Sequence, residues 1–145
     1  MLETLHKHLE NSELHILVRK GNESLFKDHP YLTSVLVWEK SKGKYNSLIS
    51  VLKTIRKSKF DRVINAQRFA SSGIFTALSG AKTKIGFDKN PLTFLFTKTV
   101  KHSFDGRHEI ERNHDLLEPI LPPNTPVEKP RLYPSPNDFA RVSEF

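Results

Sequence analysis

Short apolar runs alternate with amphipathic stretches along residues 13–121, and this alternation constrains the fold more than any other feature of the sequence. Strand character is found at residues 13–18, 34–38, 61–66 and 84–87, with a further short strand around Val100. Strands that alternate with helices are typical of a parallel sheet covered by helices. We therefore predict an α/β fold, a Rossmann-like parallel sheet with helices on both faces.

The helices are expected where apolar residues recur at helical spacing. They are predicted at residues 2–10, 44–58, 70–78, 92–96, 107–121 and 136–142, with one or two further helical turns at 23–27. Asn90-Pro91 and Ser135-Pro136 are read as the starts of the helices that follow them. Six prolines between residues 119 and 134 interrupt this pattern. We predict one Rossmann-like domain at residues 1–121 and a proline-rich crossover at 122–145.

Composition limits the classes of function. The chain has 145 residues, no cysteine and a net charge of +7. Without cysteine there is no disulfide, thiolate nucleophile or cysteine-based zinc site. No apolar run is long enough to span a membrane, and the first residues do not have the pattern of a signal peptide. The positive charge favours an anionic partner, namely nucleic acid, an anionic membrane surface or a phosphorylated or carboxylated substrate.

Candidate site residues follow from the fold, because ligands of such sheets bind beyond the carboxyl ends of the strands. The loop after the third strand offers the amide of Gln67, the guanidinium of Arg68 and the hydroxyl of Ser71 at a helix start. The next loop offers the carboxylate of Asp88 and the amine of Lys89. The predicted helix 107–121 brings two basic side chains, His108 and Arg112, onto one face. Ordinary helix capping and surface ion pairing explain the same residues equally well.

Two stretches carry a resemblance to a known family. DRVINAQRFASSGIFTALSGAKTKIGFDKNP, followed by HEIERNHDLLEPI, is similar to the N-terminal half of glycosyltransferase family 9, the ADP-heptose:lipopolysaccharide heptosyltransferases. The resemblance covers roughly residues 13–135. It implies one half of a GT-B architecture, in which the N-terminal domain binds the acceptor and a C-terminal domain binds the ADP-sugar donor. The implied reaction inverts the anomeric centre and needs neither a bound metal nor a cofactor.

The resemblance also implies partners and a location. The expected acceptor is an anionic lipopolysaccharide core of the Kdo-lipid A type, and the seven candidate residues would lie in or near its cleft. The expected location is the cytoplasm of a Gram-negative bacterium, with peripheral contact at the inner membrane. An ADP-sugar would bind only if a donor domain is supplied.

The sequence departs from the family pattern at its start. The helix at 2–10 resembles the family's first helix, but the preceding strand and Gly-Asp loop, which holds the family's proposed general base, have no counterpart. We therefore expect a fragment that is inactive alone. Strands 13–18 and 61–66 would then lack a shared neighbour, which predicts a marginal or self-associating domain. Two other interpretations stay open, a basic nucleic-acid-binding module and a stand-alone sugar- or nucleotide-binding α/β domain.

Overall fold

A computed structural model describes residues 1–41 and 43–143. These residues form two compact units. The central unit contains Met1 and residues 49–127, and the terminal unit contains residues 2–48 and the described residues from Glu128 onward. The elements in chain order are α1 (Leu2–His8), β1 (Leu14–Arg19), a 3-10 turn (Glu23–Phe26), β2 (Leu32–Trp38), α2 (Lys44–Ser58), β3 (Arg62–Asn65), α3 (Ala70–Ala77), β4 (Thr83–Phe87), a 3-10 turn (Thr93–Leu95), β5 (Lys98–Val100), α4 (Glu109–Asp115) and α5 (Pro136–Ser143).

The central unit is built on a parallel sheet with the strand order β3-β4-β5. Alternate residues of a strand point to opposite faces of the sheet. Ile85 and Phe87 are therefore on the same face, where they form a buried core with Leu116. Gly86 belongs to the other face, where a Cβ atom would collide with the ring of Phe96. The absence of a side chain at Gly86 lets the segment before β5 lie directly on the sheet.

The terminal unit contains the parallel pair β1-β2 and a group of aromatic and ionisable side chains. Tyr133 Oη donates a hydrogen bond to Glu3 Oε1 at 2.6 Å, and its ring lies edge-on to His29 with centroids 4.7 Å apart. The rings of His6 and Tyr31 stack at 3.8 Å. Residues from both ends of the sequence thus complete one unit.

The predicted α/β class and parallel pairing are confirmed, and most element positions agree with the prediction. The predicted helix at 92–96 is wrong, since only Thr93–Leu95 form a 3-10 turn and the backbone of Phe96 is extended. The predicted helix at 107–121 is also wrong in extent, because α4 ends at Asp115 and turns follow. Pro119 has no N–H to continue a helix and disfavours helical geometry at the preceding residue.

The five strands lie in two separate sheets. Within the described ranges, β1 is hydrogen-bonded to β2 alone and β3 to β4 alone. Each of these two strands therefore has one edge that forms no backbone hydrogen bonds with another strand of the described residues. The marginal stability or self-association expected from the sequence stays a prediction. None of the described helices has both the length and the apolar character needed to cross a bilayer.

Candidate functional site

Three parallel strands of the central unit end at one edge of their sheet. The strands β3, β4 and β5 end at Asn65, Phe87 and Val100. Because the strands are parallel, the segments that follow them, 66–69, 88–91 and 101–108, leave from this same carboxyl edge. Polar side chains from these segments and from the start of α4 come together there.

His102 is the buried member of this group. It is 4% exposed, and its backbone N–H donates to Asp88 Oδ1 at 2.9 Å. Its ring contacts Phe87 and Phe104 edge-on, with centroid distances of 4.8 and 4.7 Å. Its Nδ1 is buried and has no hydrogen-bond partner within the part of the chain that the structure describes. A buried polar atom without a partner costs free energy, so a ligand group or water molecule that bonded to Nδ1 would stabilise this site.

Arg68 supplies a positive charge beside His102. Its guanidinium lies over the ring of Phe104, 5.3 Å from the centroid. A cation over an aromatic face is held by the ring quadrupole, which orients it without neutralising it. Arg68 is exposed, and no carboxylate of the described residues forms an ion pair with it. It can therefore form a charge-assisted hydrogen bond to an anion.

Helix α4 adds a second arginine, Arg112. Arg112 Nη2 donates to Glu109 Oε2, and Arg112 Nη1 donates to the carbonyl of Arg107 at 2.6 Å. The hydrogen bond from Arg112 is the largest cause that lowers the pKa of Glu109, and the charges of Arg112, His102 and Arg68 lower it further. Because Arg112, His102 and Arg68 all lower the pKa of Glu109, this carboxylate lies near all three side chains.

We name this group the carboxyl-edge cluster. Its members are Arg68, Asp88, His102, Phe104, Glu109 and Arg112. Three of the seven residues proposed from the sequence belong to it. They are Arg68, Asp88 and Arg112.

The other four predicted residues have different surroundings. His108 is the N-cap of α4, where its Nδ1 accepts from the N–H of Ile110 at 3.2 Å and its own N–H donates to Glu111 Oε2 at 2.8 Å. Gln67 contributes its backbone, which bonds to Asn65 and Asn90, while the residue is exposed. Lys89 is exposed, and Ser71 is half-buried in the first turn of α3. Their role in ligand binding stays a prediction.

The sequence analysis did not identify His102, Phe104 or Glu109 as candidate site residues. The sequence did contain one indication of His102, which follows the end of a short strand by two residues. Polar residues at that position lie at the carboxyl edge of a parallel sheet, where ligands bind. That signal was weak because β5 has only three residues.

The cluster combines two arginines, an aromatic face and a buried imidazole nitrogen without a partner. Guanidinium groups recognise phosphate and carboxylate, while an aromatic face and an imidazole nitrogen suit a hydroxylated ring. Among the described residues, no group of three His, Asp or Glu side chains is arranged to hold a metal ion. The arrangement is therefore suited to an anionic, hydroxylated ligand.

The family model described as glycosyltransferase family 9 (heptosyltransferase) matches residues 48–142. A search of curated proteins gave no match. The crystal structure of a glycosyl transferase family 9 protein from Veillonella parvula DSM 2008 matches with a TM-score of 0.86 and 17% identity over 99% of this chain. The matched region is 42% of the length of that protein, and at this identity the likeness is one of fold.

Proposed function

Because the chain belongs to glycosyltransferase family 9, we propose that its central unit binds the sugar acceptor in the transfer of heptose from ADP-heptose to the inner core of lipopolysaccharide. The acceptor is a Kdo-containing saccharide that carries carboxylate and phosphate groups. The chain spans 42% of the length of the related structure. The proposal therefore assigns two functions to other parts of the protein. These are binding of the ADP-sugar donor and removal of the proton from the acceptor hydroxyl. On this proposal the 145 residues alone do not catalyse transfer.

The observation that carries the proposal is Arg68, oriented over Phe104 beside the unpartnered Nδ1 of His102. Arg68 is directed by the aromatic ring and remains exposed, so it can take a carboxylate or phosphate oxygen of the acceptor. The buried Nδ1 of His102 lacks a hydrogen-bond partner among the described residues, and a sugar hydroxyl that reached it would supply one. Together these contacts would fix both the position and the orientation of the acceptor.

On this proposal, the central unit contributes to the reaction by orienting the acceptor. In an inverting transfer, the acceptor oxygen attacks the anomeric carbon from the face opposite the leaving ADP. Holding the acceptor by two separate groups converts an encounter between free molecules into a reaction within one complex. Arg112, which is already bonded to Glu109 and to the carbonyl of Arg107, would act mainly by holding the first turn of α4 in place.

The test is a calorimetric titration of the chain with a soluble, phosphorylated Kdo-containing core saccharide. Arg68→Gln should weaken binding about tenfold or more, because a charge-assisted hydrogen bond contributes about 1.5–3 kcal/mol. Lys27→Gln is the matched control, since Lys27 is exposed in the terminal unit and the substitution removes the same charge. Equal weakening by both variants, or no weakening by Arg68→Gln, would contradict the proposal.

A further inference from the structure

A cavity of about 290 Å³ opens in the central unit, away from the carboxyl-edge cluster. Its lining comes from the last turn of α2, from the residues that precede β3, and from the turn between α3 and β4. Because β3 and β4 both begin there, we name it the amino-edge cavity. Its polar and charged lining residues are Arg56, Lys59, Asp61, Ser79 and Lys82.

The wall of the amino-edge cavity is held in place by hydrogen bonds between its separate segments. Arg56 Nη1 donates to the carbonyl of Leu78 at 3.0 Å, which joins the end of α2 to the end of α3. The N–H of Thr83 donates to the carbonyl of Asp61 at 3.1 Å, which joins the start of β4 to the residue before β3. Ser79 is 1% exposed, and its hydroxyl both donates and accepts a backbone hydrogen bond. The cavity is therefore formed without a ligand, as is usual for small-molecule sites.

The charges that line the cavity are not paired with one another. Lys59, Lys82 and Asp61 are exposed, and none of them forms an ion pair with another described residue. Arg56 bonds to a carbonyl, which leaves its positive charge in place. Three cationic side chains and one carboxylate leave an excess of two positive charges in the lining. A phosphate ester carries about −1.5 to −2 charges at neutral pH, so it would balance this excess.

The end of a helix explains only part of this charge. Arg56 lies in the last turn of α2, where a cation offsets the negative end of the helix dipole. Lys82 lies outside the helices and directly precedes β4. Strands carry little net dipole, so the charge of Lys82 has no comparable local partner.

Lys59 follows α2 in a backbone conformation that rarely suits a lysine. Its φ is 50°, in the left-handed region where glycine or asparagine usually ends a helix. A side chain at this position has a conformational cost that glycine would avoid. A cation that is kept at a strained position, without an ion-pair partner among the described residues, indicates a role in binding.

We propose that the amino-edge cavity binds a small phosphate ester that carries hydroxyl groups, such as a phosphorylated monosaccharide. The phosphate bonds to Arg56, Lys59 and Lys82, because charge-assisted hydrogen bonds favour its oxygens. The hydroxyl groups donate to the carboxylate of Asp61, which repels a bare anion but accepts from a hydroxyl. A volume of about 290 Å³ is at the lower end for small-molecule sites and suits a ligand with one sugar ring.

This site is separate from the carboxyl-edge cluster, so the inference does not rest on the proposed function. The cavity precedes the starts of β3 and β4, whereas the cluster follows their ends. A ligand in the cavity bridges the end of α2 and the turn before β4. It should therefore stabilise the folded central unit against unfolding.

The test is a calorimetric titration of the full chain with glucose 6-phosphate, inorganic phosphate and glucose. Glucose 6-phosphate should bind most tightly, inorganic phosphate more weakly and glucose not measurably. The double variant Lys59→Gln with Lys82→Gln should weaken binding of glucose 6-phosphate about tenfold or more, because two charge-assisted hydrogen bonds are lost. The control, Lys27→Gln with Lys129→Gln, removes the same charge at exposed positions of the terminal unit and should bind like the wild type.

Asp61→Ala separates the two parts of the ligand. Inorganic phosphate should bind this variant more tightly, since one negative charge leaves the cavity. The preference for glucose 6-phosphate over inorganic phosphate should decrease about tenfold, since the acceptor for the sugar hydroxyls is lost. An unchanged preference would contradict the role of Asp61.

The remaining outcomes overturn the proposal. Absence of glucose 6-phosphate binding would exclude the site, and equal affinities of the wild type for glucose 6-phosphate and inorganic phosphate would exclude the hydroxyl contact. Equal losses in the two double variants would mean that net charge alone attracts the ligand. A loss in Arg68→Gln as large as in the Lys59 and Lys82 variant would place the ligand at the carboxyl-edge cluster. Unchanged glucose 6-phosphate binding in Arg68→Gln supports the cavity, even if the core saccharide fails to bind and the proposed function is wrong.

Discussion

Burial of His29 makes one side chain a source of pH-dependent stability. Its side chain is 5% exposed, and burial lowers the pKa of the imidazole, although the charge of Glu3 partly offsets this effect. The N–H of Tyr31 donates to His29 Nδ1 at 3.3 Å, which requires that nitrogen to be unprotonated. Tyr133 and Phe26 complete the surroundings of the ring. The folded chain therefore binds a proton at His29 less readily than the unfolded chain does.

We expect the free energy of unfolding to decrease as the pH falls below about 6.5, the imidazole pKa in an unfolded chain. The reason is that the unfolded state then gains a proton that folded His29 does not accept until lower pH. His29→Gln should reduce this decrease, as measured by urea unfolding at about pH 7.5 and about pH 5.5. His6→Gln at an exposed histidine is the control. An unchanged pH dependence in His29→Gln would contradict the assignment.

At the scale of elements, Asn90 joins the loop after β4 to the start of α3. Its Nδ2 donates to the carbonyls of Gln67 and Phe69 at 3.3 and 3.0 Å, and its Oδ1 accepts from the N–H of Leu92 at 3.0 Å. Asn90 is 1% exposed and lies against Gly73 of α3, where a Cβ atom would collide with the amide. Gly73 is thus a helix residue whose small size permits this contact.

A double-mutant cycle tests this coupling. Asn90→Ala should destabilise the fold by about 1–3 kcal/mol, because the carbonyls of Gln67 and Phe69 lose a shared, partly buried donor. Gly73→Ala should also destabilise the wild type, because the new methyl group displaces the amide. In the Asn90→Ala background the same substitution should become neutral or stabilising by up to about 1 kcal/mol, since alanine favours a helix over glycine. Additive effects in denaturant unfolding would exclude the contact.

At the scale of the whole molecule, the terminal unit depends on residues far apart in the sequence. Tyr133 and Glu3 are 130 positions apart and share a hydrogen bond of 2.6 Å, and Lys7 pairs with Glu128 at 2.7 Å. The hydrogen bond to Glu3 is the largest cause that raises the pKa of Tyr133, so its hydroxyl remains a donor. The segment after the central unit is therefore part of the structure around α1.

Tyr133→Phe should lower the free energy of opening at α1 by about 1–2 kcal/mol, because it removes the hydroxyl donor to Glu3 of that helix. The ring is retained, so packing on His29 and Tyr31 should persist. Hydrogen exchange of the α1 amides measures the effect. Arg131→Gln, at an exposed position in the same segment, is the control. Unchanged exchange in Tyr133→Phe would show that the hydroxyl contributes no stability.

The features that local pattern determines were predictable from the sequence. The predicted bounds of α2 agree with the structure, because its apolar stripe needs no distant partner to identify it. The cap of α5 is equally local, with Ser135 Oγ and Asp138 Oδ2 at 2.7 Å. The early end of α4 was also encoded, in Pro119, although the periodicity around it favoured a longer helix. The family could be identified from the motif stretches at residues 61–91 and 108–120, and the family model matches residues 48–142.

The tertiary structure decided which polar residues meet. His102 is placed by Asp88, 14 positions earlier, and Phe104 contributes to the cluster because the cation of Arg68 lies over its ring. The segment at 92–96 could have been helical by its own propensity, yet Phe96 packs on Gly86 and Thr97 bonds to Lys84 at 2.9 Å. Contacts between residues distant in sequence depend on how the strands align, and local propensity contains no information about that alignment.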